Sequence, residues 1–117
     1  MGERHPIMQA LVAAQGRRHR LVLPEVVDDD GAAVPIYVRQ LTLAERDKLL
    51  QLLQAGDRGE AHYNAEIAIR CAEDKEGNAI FRKEDKPALM RSVGMVAVAK
   101  IAYAATHAVP LEDAEKN

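Results

Sequence analysis

Read from its start, the chain first places apolar residues at helical spacing. Ile7, Leu11 and Ala14 recur every three or four positions, with Pro6 in a tolerated first-turn position and Gly16 as a stop. That pattern predicts a short helix over 6–15. The pattern then changes. Arg17 to Arg20 (RRHR) leads into Leu21-Val22-Leu23, and Val26-Val27 precede the turn Asp28-Asp29-Asp30-Gly31. Beyond the turn, Val34, Ile36, Tyr37 and Val38 read as a short strand. Two β-prone runs around an Asp/Gly turn predict a hairpin over about 20–39. Pro24 and Pro35 confine its strands to edges or cut them short. An isolated hairpin is marginal in water, so this one must rest on helices or on another chain.

The strand gives way to a helix within a few residues. Thr42-Leu43-Ala44-Glu45 reads as a capping box, with the Glu45 amide donating to the Thr42 side chain and the Thr42 amide donating to the Glu45 carboxylate. The helical pattern runs over 43–55 and Gly56 closes it. At about 100° per residue, Leu43, Leu49, Leu50, Leu52 and Leu53 spread over about half the circumference. A helix facing one core needs a stripe only a little over about 100° wide. These five leucines are therefore the candidate protein-binding residues.

A cleanly amphipathic helix is predicted over 61–73, with Ala65, Ile69 and Cys71 on one side and His62, Glu66 and Arg70 on the other. Asp74-Lys75-Glu76-Gly77-Asn78 is a turn and Ala79-Ile80-Phe81 an extended piece. Pro87 suits the first turn of a last helix that runs to about His107 and is stopped by Pro110. Beyond Val93 that helix is apolar nearly all round, as a central or interface helix is. The polar segment 111–117 (LEDAEKN) is expected to be a disordered tail. The fold class predicted is mainly α: one small helical domain over 1–110, of three to four helices, with a short N-terminal β-hairpin.

Composition narrows the function classes. With 117 residues the chain has the size of one domain. Three Tyr, one Phe and no Trp leave the core to aliphatic residues and disfavour stacking platforms for single-stranded nucleic acid. Sixteen basic against 18 acidic residues, a net charge of -2, give no global nucleic-acid footprint. The lone Cys71 excludes an internal disulfide and favours a reducing compartment. The first 16 residues lack the long apolar core of a signal peptide. The longest nearly apolar run, 93–105, is interrupted by Lys100 and falls short of the roughly 18 residues of a membrane span. The expectation is a soluble cytoplasmic domain.

Candidate chemistry is sparse. An EF-hand loop ending its turn at Gly31 would need acids at positions 26 and 37, where Val26 and Tyr37 stand. The same test at Gly77 finds Ala72 and Lys83. His5, His19, His62 and His107 show no paired helical spacing, and none lies near Cys71 in sequence, which leaves zinc and Cys/His catalysis unsupported. Cys71 sits on an apolar helix face, where free cysteine behaves as a small hydrophobe. No phosphate loop or nucleophile elbow is present. Catalytic, cofactor and metal residues are therefore expected to be absent, and the chain is read as a non-enzyme. The RRHR cluster supports an alternative, a small nucleic-acid-binding accessory or regulatory protein, although the acidic DDDG turn offsets it. The apolar surplus fits either an interface for like subunits, giving a homo-oligomer, or an apolar client.

The order of parts carries a further indication. Val38 to Arg46 (VRQLTLAER), then Glu73 to Phe81 (EDKEGNAIF), then the small-residue helix VGMVAVAKIAYAA and a polar tail together resemble the small tail assembly chaperones of long-tailed bacteriophages and prophages. The resemblance covers roughly residues 20–109. It implies a chaperone that coats the long, helix-rich tape measure protein and engages tail tube subunits before they polymerise. It further implies action in the bacterial host cytoplasm and absence from the mature virion.

Overall fold

The computed structural model describes residues 4–56 and 59–107. In chain order it places α1 (Pro6–Gln15), β1 (Arg18–Leu21), β2 (Ile36–Arg39), α2 (Leu43–Ala55), α3 (Glu60–Cys71), β3 (Ala72–Glu73), α4 (Lys86–Arg91) and α5 (Met95–Thr106). A 3-10 turn, Lys83–Asp85, leads into α4. The expected mainly α domain of three to four helices with one hairpin is thereby corrected. The fold is mixed α/β, helix-dominated, with five helices and a three-stranded antiparallel sheet among the described residues. The expected tail over 111–117 lies outside those residues.

Three local events produce the difference. The first is at the end of α3, where Ala72 leaves the helix with φ -82° and ψ 125° and, with Glu73, pairs to β2. The turn that follows enforces this: the Asp74 amide donates to the Asn78 carbonyl at 2.9 Å and the Ile80 amide donates to the Ala72 carbonyl at 3.1 Å. The second is at Gly94, where φ -59° and ψ 137° break the expected final helix into α4 and α5. The third concerns RRHR, most of which is strand rather than lead-in, since Arg18 pairs with Arg39 and Leu21 with Ile36. Pro24 and Pro35 then fall in the excursion between the paired strands, where their missing amide donors cost no ladder bond.

The two acid-glycine turns are the same device used twice. In each, an aspartate carboxylate accepts from the amide four residues on, Asp28 from Ala32 and Asp74 from Asn78, both at 2.9 Å. In each, the glycine amide donates back to the aspartate carbonyl. Gly31 at φ +81° and Gly77 at φ +89° occupy a region costly for any residue bearing a Cβ.

β2 is the central strand. Cross-strand partners share a face, so His19, Val38 and Ala72 point to one side and Arg18, Arg20, Tyr37, Arg39 and Glu73 to the other. α5 covers the Val38 side and packs along α3. Its alanines 97, 102, 104 and 105 share one buried cluster with Ala65 and Ala68 of α3. Small residues at such a crossing let helix axes come close, since side-chain size sets the separation. Val38, Leu49, Ile67, Cys71 and Ile101 fill the centre of the core.

Candidate protein-binding surface

The strand-to-helix junction fixes where α2 points. Thr42 Oγ1 accepts from the Glu45 amide at 3.2 Å and the Glu45 carboxylate accepts from the Thr42 amide at 3.0 Å, the reciprocal pair read from the sequence. Arg39 adds what the sequence did not disclose. Its guanidinium grips Glu45 in a bidentate pair, at 2.8 and 2.6 Å. Hydrogen bonding from Arg39, helped by the Thr42 amide, holds the Glu45 carboxyl down at about 2, and the same pairing raises Arg39. Behind it, the Leu41 amide donates to the Ala105 carbonyl at 2.9 Å, tying the linker to the end of α5. The pattern V-R-x-L-T-x-x-E-R is thus a self-contained joint: Val38 buried, Arg39 clamping Glu45, Leu41 packed on the core, Thr42 capping.

The five leucines do not act together. Leu49 is fully buried and belongs to the core, and Leu53 is half-buried. Leu43 is 85% exposed, Leu50 36% and Leu52 47%. At about 100° per residue, Leu43 and Leu50 lie on one flank, roughly 100–120° from Leu49, and Leu52 lies about 60° away on the other. α2 packs mainly against α3, which leaves both flanks uncovered. The strongest exposed position is Leu43, with Leu50 one heptad further on.

Sequence reasoning missed a second apolar surface. α1 buries no residue, and Ile7, Met8, Leu11 and Val12 stand 47–66% exposed. The helix is capped by His5, whose Nδ1 accepts from the Ile7 amide at 3.1 Å, and held at its other end by Gln15 Nε2 donating to the Gln40 carbonyl at 2.8 Å. The signal was available in the sequence: Met8 and Val12 join Ile7 and Leu11 on an i, i+4 ladder with no core to face. At the opposite end of the sheet lies a cleft of about 580 Å³ lined by Leu23, Val26, Val34, Phe81, Val93 and Ile101 among others, with Glu25 and Asp74 at its margin.

The remaining candidates are placed as follows. Arg18 lies over the Tyr37 ring at 4.8 Å and bonds Glu73 and the carbonyls of Asp74 and Lys75. It is therefore engaged in the fold. The tri-acid turn does not face RRHR as the sequence suggested, but caps the far excursion closed by the Val27–Ala33 bridge. Cys71 is buried, and burial pushes its thiol up to about 11, away from nucleophilic use. Glu66 accepts from Arg70 at 2.6 Å and pairs with Lys86 at 3.0 Å. Burial alone would raise its carboxyl, but these two cations outweigh it and lower the value. Among the described residues no three His, Cys, Asp or Glu converge as a metal site would need, and no helix is long and apolar enough to cross a membrane.

Comparison with family models, with curated proteins and with solved structures finds no match to this chain. Its function has to be argued from its own residues.

Proposed function

We propose that the chain is a non-enzymatic assembly chaperone of long-tailed phage tails, which holds an apolar, helix-rich tape measure protein and recruits tail tube subunits to it. The reading rests on the resemblance of VRQLTLAER and EDKEGNAIF together with one observation. α2, rigidly launched by the Arg39–Glu45–Thr42 joint, keeps Leu43, Leu50 and Leu52 outside the core. An amphipathic helix that presents leucines on a fixed scaffold suits helix-in-groove recognition of another apolar helix. A long client with apolar stripes would aggregate before the tube encloses it. Many copies binding weakly along it can mask those stripes and still be displaced, with avidity supplying retention. Such work is done in the bacterial cytoplasm and leaves no copy in the finished particle.

Co-expression with the tape measure protein of the same gene cluster tests this. The client should become soluble and co-purify with the wild-type chain, and the triple variant Leu43→Ser, Leu50→Ser, Leu52→Ser should lose both effects while remaining folded. A client that stays insoluble beside the wild type defeats the chaperone reading. Rescue that survives the triple variant moves the binding surface off α2.

A further inference from the structure

The chain separates its charges in a way the fold makes directional. Residues 4–20 carry Arg4, Arg17, Arg18 and Arg20 and no acid, while residues 22–36 carry Glu25, Asp28, Asp29 and Asp30 and no Lys or Arg. Arg18 is committed to Glu73 and Arg20 lies toward the Leu21–Ile36 end of β1, but Arg4 and Arg17 flank α1 and have no side-chain partner among the described residues. The basic segment contains α1, the helix with no buried residue. The acidic segment borders the apolar cleft beyond the Leu21–Ile36 end of the sheet. An uncovered apolar helix flanked by positive charge and an uncovered apolar cleft flanked by negative charge therefore sit at opposite ends of one molecule.

We propose that α1 of one copy docks in the cleft of the next, so that the protein assembles head to tail. Three observations favour a second copy as the occupant. A helix of 10 residues with nothing buried is marginal in water, so a docking face is what would sustain it. The charges around helix and cleft are complementary, which favours encounter in that register over helix-to-helix or cleft-to-cleft pairing. And the helix does not fill its own cleft: none of its residues lines it, and its large apolar side chains are exposed. Gly16 and Arg17 donate to Ala13 and Ala14 carbonyls and Gln15 is tied to Gln40, so α1 is held at the Arg18–Arg39 end. The cleft begins about 13 Å away, past the length of β1. Pairing two different surfaces is heterologous and continues copy after copy unless it closes a ring. This inference is independent of the client reading, since it uses neither α2 nor the resemblance.

Sedimentation of the full chain over a wide concentration range tests it. The wild type should grow beyond a dimer as concentration rises. Leu11→Asp on the helix and Val93→Asp in the cleft should each weaken self-association by about tenfold to a hundredfold, with circular dichroism unchanged. If Val93→Asp unfolds, Val34→Asp takes its place. An equal mixture of the helix variant and the cleft variant should form a dimer and nothing larger, because it holds one intact helix and one intact cleft. Arg4→Glu with Arg17→Glu should weaken assembly, and mixing with Asp29→Lys, Asp30→Lys should restore it. A wild type that stays monomeric throughout, or a mixture of the two variants that stays monomeric, overturns the proposal.

Discussion

α2, an amphipathic helix, and α5, an apolar one, are of nearly equal length, 13 and 12 residues, yet α2 buries only Leu49 while α5 buries six residues. The difference lies in residue size and position. α5 runs across the inner face of the sheet and against α3, and its alanines allow close approach on two sides at once. α2 stands at the margin, packs mainly on α3, and carries leucines spread wider than one contact can cover. The small apolar residues of α5 therefore mark its enclosed face, while its larger Met95, Val96 and Tyr103 stay exposed on the other. A surplus of leucine beyond one stripe marks surface left for something else.

Breaking α5 should have the largest consequence. Ile101 is 2% exposed at the centre of the core, so Ile101→Ala should cost about 2–5 kcal/mol through lost burial and the cavity left behind. For a domain of this size that is a fall in melting temperature of about 10 °C or more. Thermal unfolding followed by circular dichroism measures it. A fall of only a degree or two would mean that α5 is not the enclosed partner in the comparison.

Acid should separate the two helices further. The Glu45 carboxyl is held at about 2 against an ordinary 4.5. Its contribution is thus fully present above about pH 4.5 and is lost as pH falls toward 2, because the unfolded chain takes up the proton first. The Arg39 and Glu45 side chains are 27% and 24% exposed, so solvent screening trims the pair to about 1–2 kcal/mol. Glu45→Gln should cost that much at neutral pH and little near pH 2, while Thr42→Ala, which removes the hydroxyl that accepts from the Glu45 amide and donates to its carboxylate, should cost about 1 kcal/mol. His19 acts on the other side. It lies on the sheet face that α5 covers, neither ring nitrogen has a hydrogen-bond partner, and burial lowers its pKa from 6.5. A histidine kept neutral by the fold gives stability that is lost as pH falls below about 6.5. Urea titrations at stepped pH should therefore show a first loss, abolished by His19→Leu, and a second below pH 4.5, reduced by Glu45→Gln, with the paired Glu66 contributing to what remains. A single loss insensitive to both variants would mean that neither group reports on its helix.

How much of this was legible beforehand depends on the range of the interactions. α1, α2 and the Thr42–Glu45 cap were readable because each is decided within four residues: Pro6 and Gly16 bracket α1, and the box is a local reciprocal bond. The two acid-glycine turns were readable for the same reason. β3 was not, because Ala72 and Glu73 continue the helical pattern of α3 and become strand only through pairing with Val38 and Tyr37, more than thirty residues back. The break at Gly94 was hidden by the apolar run around it. Of the five candidate leucines, their shared arc was visible but not which of them the core would take, since that depends on where α3 lies. The clamp of Arg39 on Glu45 spans six residues and a change of element, beyond any helical or strand period.

The smallest expected effect sharpens the comparison most. Leu43 is 85% and Leu50 36% exposed on the same flank of α2. Replacing both by Ser should change stability by no more than about 0.5 kcal/mol each, since both side chains lie outside the core and the cap bonds run between Thr42 and Glu45. The equivalent change at Leu49, one residue away and fully buried, should unfold a large share of the protein. Chemical denaturation of the paired variants distinguishes them. If Leu43→Ser, Leu50→Ser destabilises as a core change does, then the flank is covered within the fold and α2 has no free leucine face to offer. If the double variant melts with the wild type and still binds a client, those leucines are surface without function. The proposed role requires the combination in between: stability retained and client binding lost, which no residue on the buried face of α5 can show.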